Sequence, residues 1–266
     1  MDRRRLACTF EEDAAGYDRA RPGYPASVVD DLVGLAELGP GARVVEIGSG
    51  TGQATIALAE RGLAVTALEL GPSLAELARR RLARYPAVEV VTTDAETWRA
   101  SVPFDAVVAF TSFHWLDRDT RYRTVAGLLR PGGALGVVIT EHVLPPEGDP
   151  FFREAQADYE AVLPDDPKTV EGGPGLPDDV PDLAAEIAAS GLFGPAEVRR
   201  HVWDVDYDAD GYLDLLRTFS NHRVMAPAVR DDLLDRIRRR IEARPGRRVR
   251  RSTLAIVHVA RRLGGS

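Results

Sequence analysis

The chain has 266 residues, 44% of them hydrophobic, which suffices for one α/β domain with a buried core and excludes disorder over the whole length. A formal charge of −7 speaks against a general nucleic-acid binder, whose balance is normally basic. The single cysteine, Cys8, excludes a disulfide framework or a cysteine-rich metal site, and apolar runs such as "DAVVAF" and "GVVIT" are too short to span a bilayer.

The expectation is a soluble, cytoplasmic protein, monomer or homodimer, with no membrane contact, no nucleic-acid partner and no metal. The N-terminus "MDRRRLACTF" is basic, but its apolar stretch is too short for a secretory leader. One lysine, Lys168, among 34 basic residues reflects compositional bias.

Strand-like runs then follow in order: "ARVVEIG" (42–48), "AVTALEL" (64–70), "VEVVTTD" (88–94), "FDAVVAF" (104–110) and "GALGVVIT" (133–140). Each is short, valine-rich and bounded by turn residues. Between them, "QATIALAERG", "PSLAELARRRLARY" and "DTRYRTVAGLLRPGG" carry apolar residues at helical spacing, with Pro72 at a first helical position and Gly132 and Gly133 past a helix end. Such alternation predicts a parallel sheet with helices on both faces, and ligands bind at the carboxyl edge of sheets of that kind.

Residues 145–181 hold eight prolines, and only "FFREAQADYEAVL" looks helical there. A long insertion after the fifth strand sits above the ligand edge, so 145–196 is expected to be a cap inserted in a single domain spanning 1–266. Two further strands, "EVRRHVWDVDYD" and "TLAIVHVARR", flank a helical "DGYLDLLRTFS". The basic run "RIRRRIEARPGRRVRR" (236–251) is read as a helix with Leu233, Leu234, Ile237 and Ile241 inside and its arginines solvated.

The decisive stretch is the glycine turn "VVEIGSGTGQAT", residues 44–55. A phosphate-cradling P-loop needs Lys and Ser/Thr after the last glycine, but Gly52 is followed by Gln53 and Ala54. A dinucleotide turn needs a small residue where Gln53 or Thr55 stands, and Glu46 is a poor neighbour for a pyrophosphate. A cationic nucleoside without phosphates suits an acid at that point. Glu69 closes the second strand, where a carboxylate accepts both hydroxyls of a ribose, and Asp94 follows the third, where it reaches an exocyclic amine. Taken singly, such acids are more often helix caps.

These segments, "VVEIGSGTG", "ALEL", "TTDAETW", "FTSFHWLD" and "LLRPGGALGVV", together resemble the ordered motifs of class I S-adenosylmethionine-dependent methyltransferases. The segments "FEEDAAGYDRARPGYP" and "FHWLD" resemble the small-molecule branch that includes trans-aconitate methyltransferase-like enzymes. The likeness runs from about Phe10 to Val138 and, more loosely, through the C-terminal strands.

That resemblance implies a Rossmann-like doubly wound, mostly parallel seven-stranded sheet with an antiparallel last strand, a helical cap and an N-terminal lid over 1–26. It implies S-adenosylmethionine as methyl donor and a small-molecule acceptor methylated at O, N or C, with secondary metabolism as the expected setting. Glu46 would orient the donor ammonium, and Gly48, Ser49, Gly50 and Gly52 would wrap the methionine part. Glu69 would hold the ribose, Leu70 would pack on adenine, Asp94 and Ala95 would read its edge, and the Thr111 carbonyl would meet the amine. Tyr17 and Arg21 would lie near the donor carboxylate; an ordinary amphipathic helix is the other reading of both.

His114, after the fourth strand, is the first candidate base, His222 the second and His142 the third. Tyr24, Phe113 and Trp115 could line the acceptor pocket, although aromatics near strand ends are more often core. No Asn/Asp-Pro-Pro-Tyr or Pro-Cys motif follows the fourth strand, against methylation of nucleic-acid bases. Two rivals remain open: an NAD-dependent oxidoreductase, and a donor-binding protein of the same fold with a non-methylating role such as cyclisation.

Overall fold

β-Branched side chains pack well on a pleated sheet covered on both faces, and the valine-rich runs become strands for that reason. The computed structural model describes residues 20–164 and 173–264. Within them β1 (Arg43–Ile47), β2 (Ala64–Glu69), β3 (Val88–Thr92), β4 (Phe104–Phe110), β5 (Leu129–Val143), β6 (Glu197–Asp208) and β7 (Arg248–Arg261) form one sheet, ordered β3-β2-β1-β4-β5-β7-β6. The strands β1 to β5 pair in parallel, and β7 is antiparallel to both its neighbours. This is the expected Rossmann-like sheet of seven strands.

Helices α1 (Ala26–Leu35) and α2 (Gln53–Glu60) cover one face, with Val28, Leu32 and Leu58 against Val44, Val108 and Val257. On α3 (Pro72–Leu82), Pro72 occupies the first turn as expected, and Arg79 donates to Thr92 Oγ1 at 2.6 Å, tying the helix to β3. The other face is covered by α4 (Arg121–Leu128), with Tyr122, Val125 and Leu128 against Val107 and Leu135. Strand order reverses between β1 and β4, and a crevice at the carboxyl edge opens at such a point.

Beyond β5 lie α5 (Phe151–Glu154), α6 (Gln156–Val162) and α7 (Ala184–Ala189). Between β6 and β7 come α8 (Ala209–Arg217), α9 (Ser220–Arg223) and α10 (Pro227–Glu242). The helices α5, α6, α8 and α10 share one apolar cluster, in which Phe151, Phe152, Tyr212, Leu233 and Ile237 are buried. The helical layer over this end of the sheet therefore draws on residues 209–242 as well as on the segment after β5. Residues 1–19 of the lid expectation and 165–172 of the cap expectation lie outside the described residues.

Helix α10 buries Leu233, Leu234, Ile237 and Ile241, as their spacing predicts. Its arginines are not simply solvated. Arg238 pairs with Asp210 at 2.7 Å, Arg240 with Asp158 at 2.6 Å, and Arg244 just beyond the helix with Asp149 at 2.6 Å. The run also ends in a different element, since Arg248 to Arg251 open β7 and Arg251 is buried.

Candidate active site

The turn between β1 and α2 has Gly48, Gly50 and Gly52 at φ of 68°, 57° and 85°, a backbone region that side chains disfavour. At Gly48 a Cβ would stand 2.7 Å from Ser112 Cβ, so the turn and the loop after β4 touch with no room to spare. At Gly50 a Cβ would meet nothing within 4 Å, because that residue faces a cavity.

Glu69 closes β2 beside this turn. Its Oε2 accepts the Gly50 N–H at 2.7 Å and its Oε1 the Gly71 N–H at 2.8 Å. Each carboxylate oxygen has two lone pairs, so the group can accept further hydroxyls while it braces the turn. Leu70, next in sequence, is 38% exposed for a large apolar residue. Asp94 Oδ1 accepts the Glu96 N–H at 2.9 Å, which shapes the turn carrying Ala95. Gly48, Gly50, Glu69, Leu70, Asp94 and Ala95 all line the cavity, whose volume as bounded by the described residues is about 1110 Å³.

The β4 edge contributes Thr111, held at φ 53°. Its Oγ1 shares hydrogen bonds with the Tyr24 hydroxyl and Thr140 Oγ1, both at 3.0 Å, and Tyr24 packs edge-on to Phe110 at 4.9 Å. Backbone strain of this kind costs about 1–3 kcal/mol and persists where the surroundings hold it. Beyond it, the short 3-10 turn Phe113–Trp115 presents His114 and Trp115 to the cavity, their rings 4.7 Å apart. His114 keeps an exposed face, yet desolvation by the wall behind it, and then the charge of Arg121, lowers its pKa below the ordinary 6.5. The ring is thus neutral at pH 7, the form that can take a proton.

Four expected site residues are not brought to the cavity wall. Glu46 lies beneath the turn, 1% exposed, and accepts the Thr55 hydroxyl of α2 at 2.5 Å. Ser49 is turned inward, its Oγ buried without a hydrogen-bond partner. Gly52 serves as the left-handed N-cap of α2. Phe113, expected in the acceptor pocket, instead packs into the core, 5.4 Å from the Tyr122 ring with Arg121 stacked 4.8 Å from its centroid. The 3-10 turn sends successive side chains in different directions, so only its second and third residues reach the cavity.

Arg21 and His222 do line the cavity, and Tyr17 lies outside the described residues. The Arg21 Nε donates to Thr218 Oγ1 at 2.9 Å and its guanidinium stacks on Phe219 at 4.5 Å, while its carbonyl accepts Gln53 Nε2 at 3.2 Å beside the turn. His222 is buried, with Nδ1 3.0 Å from Asn221 Oδ1 and Nε2 3.0 Å from the Tyr159 hydroxyl. An amide oxygen on Nδ1 leaves Nε2 to accept from Tyr159, so its basic nitrogen is already engaged. Burial, and then the charge of Arg251, pushes the His142 pKa down to about 2. Thr140 and Arg251, which the sequence reading did not single out, also line the cavity.

Residues 44–133 match the profile of a family described as a methyltransferase domain. Over that span the chain is similar to methyltransferase domains. An uncharacterised methyltransferase of Mycobacterium bovis is 35% identical over 136 residues, 51% of this chain and 54% of that protein. A malonyl-[acyl-carrier protein] O-methyltransferase of Geobacter sulfurreducens is 32% identical over 170 residues, 61% of this chain and 60% of that protein. The chain thus spans little more than half the length of these curated relatives. The chain also shares its fold with an S-adenosylmethionine-dependent methyltransferase of G. sulfurreducens solved with S-adenosylhomocysteine. That likeness has a TM-score of 0.54 at 16% identity, covering 97% of this chain and 98% of the other. The matched span takes in the glycine turn, Glu69, Asp94 and the β4 edge. No helix among the described residues is long and apolar enough to cross a membrane, and no group of three or more potential metal ligands occurs among them.

Proposed function

We propose that the chain uses S-adenosylmethionine to methylate a small-molecule acceptor. One observation carries this reading: the Gly50 N–H, which a dinucleotide fold would offer to a phosphate, is donated instead to the Glu69 carboxylate at the cavity wall. An acid at the end of the second strand accepts a ribose diol in dinucleotide folds too; what favours a nucleoside without phosphates is that the Gly50 N–H is already taken by that acid. The open space above Gly50 and the exposed Leu70 fit a nucleoside bound along this edge.

When bound, the donor supplies a methyl group already activated on a sulfonium. The chain's residues then have to align acceptor and donor, a contribution worth roughly 7–11 kcal/mol in well-oriented reactions. Glu69 would accept the ribose hydroxyls, Leu70 and Ala95 would flank the base, and Asp94 would accept its amine. The strained Thr111 would present its carbonyl to the donor amine. His114 would take a proton from the acceptor where one must leave.

Calorimetry tests the donor site. S-Adenosylhomocysteine is expected to bind and NADH not to, and Glu69→Ala is expected to weaken binding by about 1.5–3 kcal/mol. NADH binding in place of the thioether, or unchanged affinity in the variant, would remove the reading.

The base is tested by rate. His114→Ala is expected to lower turnover by about 10²–10⁴-fold while leaving donor affinity intact. Because burial, and then the charge of Arg121, lowers the His114 pKa, the acid fall in wild-type turnover should lie at lower pH than the titration of a free imidazole. Full turnover in the variant would place the base elsewhere.

A further inference from the structure

Arg251 is 8% exposed on β7 and lines the same cavity. A guanidinium has five N–H donors, and here Nη1 donates to Thr253 Oγ1 at 2.6 Å while the group stands 5.9 Å from the centre of the Phe219 ring. It forms no ion pair with any described residue. That is unusual company for a buried cation, since an uncompensated buried charge is strongly destabilising.

Two more polar atoms nearby are buried without hydrogen-bond partners, His142 Nε2 and Tyr207 Oη. Register places them together: Thr253 pairs with His142 on β5, Arg251 with Val205 and Val249 with Tyr207 on β6. Side chains alternate along a strand, so Arg251, Thr253, His142 and Tyr207 belong to one face of the sheet. Besides Tyr207 and Tyr212, the groups acting on Arg251 are Arg21, which adds positive charge, and Glu141, which is exposed. Thr140, bonded to Thr111 at the donor edge, is two residues from His142 on β5, a separation of about 7 Å.

Resting on the methyl-transfer reading, we propose that the acceptor carries an anionic group, a carboxylate or a phosphate, and that Arg251 anchors it with His142 beside it. Arg251 forms a fork of donors matched to planar or tetrahedral oxyanions, and the neighbouring neutral imidazole can donate from Nε2 in one tautomer. An anchor this far from Thr111 holds one end of the acceptor while another atom meets the methyl group. The anion restores the missing countercharge when it binds.

The full chain is titrated with succinate and with inorganic phosphate, alone and with saturating S-adenosylhomocysteine. At least one anion is expected to bind, and Arg251→Met is expected to weaken it by tenfold or more while leaving S-adenosylhomocysteine affinity unchanged. Binding of succinate only assigns a carboxylate; of phosphate only, a phosphate. Arg251→Lys, which keeps the charge but loses the fork, gives a second reading should the methionine variant not fold, with an expected loss of severalfold. Wild-type protein that binds neither anion, or variants that bind as wild type does, would overturn the anchor. Failure of S-adenosylhomocysteine to bind, with anion binding intact, would instead overturn the methyl-transfer reading and leave the anion site standing.

Discussion

Gly48→Ala is expected to destabilise the fold by about 2–5 kcal/mol and to weaken donor binding at least tenfold. Two costs combine. An alanine at φ 68° adopts a left-handed backbone worth roughly 1–2 kcal/mol of strain, and its Cβ would stand 2.7 Å from Ser112 Cβ. Relief of that overlap moves the β4 loop, at about 1–3 kcal/mol for overpacking. The urea midpoint should fall without a change of slope. Gly48→Ala combined with Ser112→Gly removes the overlap but not the backbone strain, so the double variant should recover only part of the loss. Full recovery would show that the left-handed backbone costs alanine nothing here.

The second large effect depends on pH. Burial is the main cause that raises the Glu46 pKa from 4.5 to about 8; the Thr55 hydroxyl opposes it and the nearby Glu69 adds to it. Between those values the folded chain keeps a proton on Glu46 that the unfolded chain has released. Stability contributed by this residue is therefore highest below pH 4.5 and falls as pH rises towards 8, by about 4–5 kcal/mol over the window. Glu46→Gln lacks this titration. Its stability relative to wild type should grow steadily from pH 5 to pH 8.5 in urea unfolding, and parallel curves would mean that Glu46 ionises as freely in the fold as in the open chain.

Much of the cavity edge could be read from the sequence because its candidate groups sit at strand ends that the valine-rich runs mark. The acids Glu69 and Asp94 follow such runs directly, and both reach the cavity. Glu46 could not be placed the same way. It lies inside a strand, and only the packing of α2 shows that its carboxyl is turned to Thr55. Phe113 and His114 are neighbours with opposite fates, which the geometry of a three-residue turn decides and composition does not. Arg251 was hidden for another reason: it stands in a run of arginines that reads as uniformly solvated, and only the register of β7 against β5 and β6 turns that one residue inward. Likewise, the bond between Thr111 and Thr140 joins residues 29 apart in sequence.

The place of β7 has a consequence for how the molecule is assembled. Residues Arg248–Arg261 come last in chain order among the seven strands of the sheet, yet they lie between β5 and β6. Until they arrive, β6 has no partner and β5 offers an open edge, a ready target for pairing with other chains. Long-range pairing of this sort is slow to form. During synthesis β1 to β4 can settle early, while β5 and β6 wait on β7. Loss of that strand should therefore surface first as aggregation.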